Sequence, residues 1–241
     1  MASTKVRLYV DHPLGAGQSV LLSRDQAHYL FGVMRLGVGD SLALFNGSDG
    51  EWRAQVAAAG RRDGLLKAQE RTRPQQDPPD LWLLFAPIKK ARTDFVVEKA
   101  AEMGAARILP VQTAFTNSER IRRDRLQAHA IEAAEQCGGT FVPEVAELRK
   151  LDAVLADWPA GRQLIFCDET TVGARQTLRD APSAQGWAIL IGPEGGFSAT
   201  ERDRLLALPF VSRISLGPRI LRADTAAVAA MTLWQSLLGD W

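Results

Sequence analysis

The residues best suited to chemistry lie in two short stretches of the C-terminal third. The first is Ala188-Ile-Leu190-Ile-Gly192-Pro193-Glu194-Gly195-Gly196-Phe-Ser198. An apolar run stops abruptly in glycines, a proline and a carboxylate, and Ser198-x-x-Glu201 then reads as a capping box that starts a helix. Glycines there let the backbone approach a ligand closely and adopt φ > 0. The second stretch is Ile214-Ser-Leu216-Gly217-Pro-Arg219-Ile220-Leu221-Arg222-Ala-Asp224-Thr225. It too follows a strand-like run and leads into a helical pattern. It gathers guanidiniums and a carboxylate, although Asp224 and Thr225 also suit helix capping and the helix dipole. Arg219 and Arg222 equally suit a solvated surface. Two successive strands ending in such loops would open on one sheet edge, where open α/β sheets hold ligands. Together the loops would enclose a small polar cofactor.

Other chemistries are poorly supplied. No Gly-x-x-x-x-Gly-Lys-Ser/Thr or Gly-x-Gly-x-x-Gly occurs, which argues against a phosphate-cradling NTPase or an ordinary dinucleotide enzyme. Cys137 and Cys167 stand far apart with no Cys-x-x-Cys, and His12, His28 and His129 are scattered, so no metal set is expected.

Elements that must position these loops are visible in the periodicity. Strands are expected near Leu81–Ala86, Arg107–Val111, Gln163–Cys167, Trp187–Ile191 and Val211–Ser215. Helices are expected over Asp94–Met103, Arg122–Cys137, Ser198–Leu208 and Ala223–Leu238, the first two closed by Gly104 and Gly138-Gly139. Repeated strand–helix units imply a parallel sheet covered by helices. Upstream the pattern is different. Short strands near Val6–Val10, Ser19–Leu22, Ser41–Phe45, Glu51–Ala57 and Leu65–Gln69 surround one helix, opened by Ser23-x-x-Gln26 with Ala27, Leu30, Phe31 and Met34 on one face. This suggests a small, mostly β barrel. The proline-rich segment Arg71–Asp80 divides the two parts.

The 241 residues, 46% hydrophobic and 24% charged, are those of a globular chain with a sizeable core. The start lacks the apolar core of a secretory signal, and no apolar run approaches the roughly 20 residues of a membrane span, so a cytoplasmic location is expected. Net charge is +1, but residues 1–75 carry ten Lys/Arg against seven Asp/Glu, and the rest nineteen against twenty-one. That asymmetry permits a first domain that faces nucleic acid.

Gly192-Pro-Glu-Gly-Gly-Phe-Ser with Glu201, then Leu216-Gly217-x-Arg219-Ile-Leu-Arg222-x-Asp224-Thr225-Ala226, resembles the RsmE family of 16S rRNA (uracil-N3)-methyltransferases in the SPOUT superfamily. The resemblance extends to Lys89-Lys90, Glu98-Lys99-Ala-x-Glu102-x-Gly104, Ile108-x-Pro110 and Ile131-Glu132-Ala-Ala-Glu135-Gln136. Near the start, Arg7 and His28-Tyr-Leu-x-x-Val-Met-Arg35-x-Gly-x-Gly39-Asp40 resemble the family's PUA-like domain. The chain differs in having Asp224 where the family usually has Glu. It also lacks an Arg that the family often has near Gly138–Thr140.

The resemblance implies a PUA-like RNA-binding β domain at 1–73 and an α/β SPOUT domain with a trefoil knot at 74–241, assembled as a homodimer. It implies S-adenosylmethionine as cofactor, held by Leu190, Gly192, Pro193, Glu194, Gly195, Gly196, Leu216, Gly217, Ile220, Leu221 and Thr225. The substrate would be N3 of a uridine in 16S rRNA, uridine 1498 in standard rRNA numbering. Arg222 would stabilise charge on the uracil oxygens and Asp224 would take the N3 proton, with Glu194 as the alternative base. RNA contacts are expected from Arg7, His28, Arg35, Lys89, Arg92, Arg120, Arg122 and Arg123, His28 being equally suited to helix packing. Rival readings are a non-catalytic RNA-binding protein, a knotted methyltransferase acting on another RNA such as tRNA, and a small-molecule α/β enzyme.

Overall fold

A computed structural model describes residues 6–117, 120–168, 178 and 184–241. The described chain divides into two compact units. The first holds residues up to Asp77 together with Ala134–Val142, and the second holds Pro78–Ala133 and Pro143–Trp241.

The first unit is a five-stranded mixed sheet, a half-barrel, of β1 (Arg7–Tyr9), β2 (Ser19–Leu21), β3 (Ser41–Phe45), β4 (Glu51–Ala59) and β5 (Gly64–Arg73). The strand order is β1-β3-β4-β5-β2, with only β1 and β3 parallel. Its core is apolar, with Val20, Leu30, Leu42, Leu44 and Leu66 fully buried.

Two local expectations change. The helix after Ser23 has its capping box but stays α-helical only over α1 (Arg24–Ala27), then widens into a π-helical turn over His28–Val33. The Met34 N–H reaches back five residues to the Tyr29 carbonyl. Ala27 and Leu30 keep the expected buried face, whereas the widened turn leaves Met34 exposed. Strand β5 runs to Arg73, into the segment read as linker, because its end is held from β4. Glu51 accepts from Arg73 Nη2 at 2.6 Å, from Arg7 Nε at 2.8 Å and from Thr72 Oγ1 at 3.0 Å.

The second unit is a parallel seven-stranded sheet. Its strands are β6 (Leu81–Phe85), β7 (Arg107–Gln112), β8 (Glu144–Val145), β9 (Arg149–Lys150), β10 (Arg162–Cys167), β11 (Gly186–Ile191) and β12 (Val211–Ile214). The order is β12-β10-β11-β6-β7-β8, with β9 beside β7. Strand β11 is buried at all six positions, as a central strand covered on both faces should be. The helices are α2 (Lys90–Glu102), α3 (Arg123–Cys137), α4 (Leu151–Ala156), α5 (Ala199–Leu206) and α6 (Ala223–Leu238). Gly104 (φ +76) and Gly138 (φ +80) take the left-handed conformation expected after α2 and α3. No described helix is long and apolar enough to cross a membrane.

Helix α4 and the two-residue strands β8 and β9 escaped the sequence reading. Leu151, Val154 and Leu155 do carry a buried i, i+3, i+4 face. The strands are too short for any period to register.

Glu51 yields a stability prediction. Burial pushes its carboxyl pKa up, but hydrogen bonds from Arg73, Arg7 and Thr72 and the Arg73 charge outweigh that and hold it below its ordinary value. Such a group contributes stability that is complete above its unfolded pKa and is lost as pH falls through the folded one. Glu51→Gln is expected to cost about 1–3 kcal/mol at neutral pH. The gap to wild type should narrow below about pH 4. Urea midpoints at neutral pH and at about pH 3 check both statements.

Candidate active site

Strand β10 lies between β11 and β12 and is parallel to both, with Phe166 beside Leu190 and Cys167 beside Ile214. All three strands therefore end on one edge of the sheet. Just beyond that edge lies a cavity of about 200 Å³. It is lined by Cys167 at the end of β10 and Asp168 after it, by Ile191 at the end of β11 and 192–197 after it, by Ser215–Gly217 and Arg219–Leu221 after β12, and by Ala223 and Ala226 of α6.

The loop after β11 is fixed from inside. Ser198 caps α5: its Oγ accepts the Glu201 N–H, and Glu201 Oε2 accepts the Ser198 N–H at 2.9 Å. The other carboxylate oxygen of Glu201 accepts the Ala114 N–H at 2.7 Å, which ties the loop after β7 to the same helix. Phe197 packs edge-on against Phe166 with ring centroids 5.0 Å apart. A Cβ on Gly192 would lie 2.6 Å from the Phe197 ring, and one on Gly195 would lie 3.1 Å from Phe115 Cβ. Only Gly196 takes a positive φ, +68. Gly192 is thus needed for the loop's own packing as much as for access to a ligand, while Gly195 sits close against Phe115.

The loop after β12 is more open. Gly217 has φ +117, which disfavours any side chain, and its N–H donates to Ser215 Oγ at 3.3 Å. Ile220 is 86% exposed at the rim. Arg222 is the N-cap residue of α6, solvent-exposed and outside the cavity lining. Asp224 sits in the first turn of α6, where Oδ1 accepts the Thr225 N–H at 2.9 Å. Its Oδ2 lies 3.7 Å from Arg92 Nε, on α2.

The cavity brings together Gly192, Pro193, Glu194, Gly195, Gly196, Leu216, Gly217, Ile220 and Leu221, all expected from the sequence. Leu190 and Thr225 are not in the lining. Leu190 is fully buried in the core under the sheet, and Thr225 turns outward on α6. The tip of β10 was missed. The same argument that found the other two loops, a buried strand ending in polar residues, would have found Cys167-Asp168. Burial pushes the Cys167 thiol up to about 12, so it stays protonated near neutral pH. Asp168 is buried and accepts from Arg202 Nη1, of α5, at 2.5 Å, with Arg213 Nη1 3.7 Å away.

The expected RNA contacts fare unevenly. Arg7 is a correction. Its guanidinium donates to Glu51, to the Ala134 and Glu135 carbonyls at 2.7 and 2.9 Å, and to the Gly139 carbonyl at 2.8 Å, while lying over the Phe45 ring. A guanidinium with four of its five N–H donors so committed, and mostly buried, has little left to offer a phosphate. His28 and Arg35 are exposed, Arg35 in the left-handed region at φ 58 and His28 packed over Gly32. Lys89 is the exposed N-cap residue of α2. Arg120 and Arg122 line a second cleft with Lys90, Asp94 and Arg125. Arg122 pairs with Asp124 at 2.8 Å, and Arg123 donates to the Val145 carbonyl at 2.8 Å. Among the described residues no group of three or more His, Cys, Asp or Glu side chains is placed to hold a metal ion.

Residues 75–235 match a family model described as an RNA methyltransferase domain, and residues 22–68 match an RNA methyltransferase PUA domain. The ribosomal RNA small subunit methyltransferase E of Rickettsia conorii is 30% identical over 93% of both chains. The chain belongs to this methyltransferase E family. The relative from Buchnera aphidicola of Acyrthosiphon pisum is 26% identical over 98% of this chain and 94% of its own. Family structures agree with the fold. A Legionella pneumophila methyltransferase solved with its bound cofactor SAM has a TM-score of 0.88 at 29% identity, covering 100% of both chains. The Neisseria gonorrhoeae ribosomal RNA small subunit methyltransferase E, bound to S-adenosylmethionine, has a TM-score of 0.84 at 26% identity over 98% of this chain and 99% of that one. The α/β unit is thus of SPOUT type and the β unit PUA-like.

Gly192→Ala tests the packing reason given for this family's glycine loop. The added methyl meets the Phe197 ring, so a loss of about 1–3 kcal/mol is expected, read as a lower urea midpoint. Phe197→Leu in the same background should recover part of it.

Proposed function

We propose that this protein transfers a methyl group from S-adenosylmethionine to N3 of a uridine in 16S rRNA, uridine 1498 in standard rRNA numbering. The observation that carries the reading is the cavity at the three strand tips, with Asp224 on the first turn of α6, between Ala223 and Ala226 of the lining. The residues present suit the donor. Leu216, Ile220 and Leu221 offer apolar faces for an adenine ring, and the two glycine loops bring main chain to the cavity wall. Leu190 supports that wall from beneath, and Thr225 supports the helix turn that carries Asp224.

Bound there, S-adenosylmethionine supplies a methyl carbon on a sulfonium sulfur. Transfer to the N3 electron pair would form the new C–N bond, the C–S pair returning to sulfur. Uracil N3 is a poor nucleophile until its proton leaves. Asp224 takes that proton and later gives it to solvent. Arg222, exposed beside it, meets the negative charge that spreads onto the uracil carbonyl oxygens. Glu194, exposed on the first loop, holds polar groups of the donor. Holding N3 in line with the methyl group lowers the barrier by several kcal/mol more.

Residues 1–73 would form the PUA-like RNA-binding domain and 74–241 the catalytic domain, knotted at its C-terminal end. His28, Arg35, Lys89, Arg120, Arg122 and Arg123 would contact RNA, positioning a splayed nucleotide rather than reading sequence. The protein would act as a homodimer in the cytoplasm. Exposed Leu238 and Trp241 at the end of α6 support a further packing surface there.

Calorimetry with S-adenosylmethionine should give one binding isotherm that Asp224→Asn leaves unchanged. The same substitution should lower kcat by about 10²–10⁴. Near-normal turnover would remove Asp224 from the mechanism. Mass-spectrometric mapping of rRNA from cells lacking the protein should show one methyluridine lost. Arg120→Ala with Arg122→Ala should flatten the salt dependence of RNA binding by about 0.7 log units per phosphate contact removed.

A further inference from the structure

Arg92 appeared in the sequence as one more basic residue for RNA. The structure puts it elsewhere. Helices α2 and α6 pack side by side and run in the same direction, joined at two points. At one end Arg92 faces Asp224. At the other, the buried Gln235 side chain donates to the Met103 carbonyl at 2.7 Å. The two points are eleven residues apart on both helices, a matched rise of about 16 Å. The first turn of α2 is itself locked, because Thr93 Oγ1 accepts the Ile88 N–H at 3.0 Å and lies 3.1 Å from the Ile88 carbonyl it bonds back to. Arg92 therefore approaches Asp224 from a rigid base.

The geometry at the carboxylate is selective. Oδ1 is occupied by the Thr225 N–H, and Oδ2 faces Arg92 Nε at 3.7 Å. That distance gives Coulomb attraction but is too long for a hydrogen bond, so the Oδ2 lone pairs remain open to a proton donor. Both side chains are partly buried, at 32% and 19% exposure, so the attraction is less screened than at a free surface.

We infer that Arg92 is a positioning residue for methyl transfer, holding the Asp224 carboxylate on the turn of α6 whose Ala223 and Ala226 line the cavity, with one oxygen free for the uracil N3 proton. This rests on the methyl-transfer reading above. It separates Arg92 from the phosphate contacts: its effect runs through Asp224 and not through RNA affinity.

The test is steady-state methylation of rRNA by wild type, Arg92→Met, Arg92→Lys, Asp224→Asn and the double variant R92M/D224N. Arg92→Met should lower kcat about tenfold or more, with KM for RNA and for S-adenosylmethionine within about twofold of wild type. Arg92→Lys, which keeps the charge, should restore most of the rate. Adding Arg92→Met to Asp224→Asn should cost nothing further, since the carboxylate to be held is gone. A raised KM for RNA with kcat intact, no rescue by lysine, or losses that multiply in the double variant would each overturn the inference and return Arg92 to the phosphate contacts. A wild type that binds S-adenosylmethionine yet leaves rRNA unmethylated would instead overturn the function itself.

Discussion

The site depends on one constraint, the central place of β10 between two parallel neighbours. Parallel pairing on both sides forces β10, β11 and β12 to end on the same edge, whatever their loops contain. Strands buried on both faces must be apolar along their length, and β11 is buried at every position. Polar groups can then enter only at the tips. The chain uses that freedom at once: Asp168, Glu194 and Ser215 all follow within three residues of a strand end. The buried Asp168 carboxylate shows how the tip charge is tolerated. It is held by Arg202, which projects from the helix that the neighbouring glycine loop starts. An ion pair this buried is costly to break, and it links the tip of β10 to the loop after β11.

That linkage gives the glycine loop a different meaning from the one its composition suggests. Glycines after a strand are ordinarily explained by a ligand approaching the backbone. Here one of the three is required by an aromatic ring of the protein, Phe197 under Gly192, and a side chain on Gly195 would crowd Phe115. Glu201 completes the arrangement by capping its own helix and holding the Ala114 N–H. The loop is thus built before any donor arrives. A preformed wall loses little entropy on binding, which is what a site for a flexible nucleoside needs. The loop after β12 lacks such filling, and Ile220 and Gly217 stay open to solvent.

Much of this was legible in the residues, for definite reasons. Long apolar runs announced β6, β10 and β11, and Gly104 and Gly138 marked helix ends because few other residues accept their φ. Capping boxes at Ser23 and Ser198 both formed. The π-helical turn was not legible, since the spacing of Ala27, Leu30 and Phe31 suits either helix until Met34 is displaced. Nor was the extension of β5, because nothing local marks Thr72 and Arg73 as partners of Glu51, 21 and 22 residues away. At the site, backbone-driven features were visible and partnerships between distant side chains were not. Cys167-Asp168 lacked glycine and so drew no attention.

The arginines carry that distinction furthest. On the page Arg7, Arg92 and Arg122 are equivalent positive charges, and composition alone recommends all three for a polyanion. Their surroundings separate them. Arg7 donates every arm of its guanidinium within its own unit, which satisfies the last carbonyls of α3 and neutralises Glu51. Arg122 pairs with a fully exposed Asp124, a contact weak enough for a phosphate to replace. Arg92 lies between these extremes, half-buried against a carboxylate it does not fully occupy. Under the proposed reaction only the middle case would bear on a proton transfer, because a group must be both desolvated enough to be felt and loose enough to leave a lone pair free. Counting cations therefore says little about where the RNA lies. What decides each one is whether its partner is stronger than the phosphate that would compete for it.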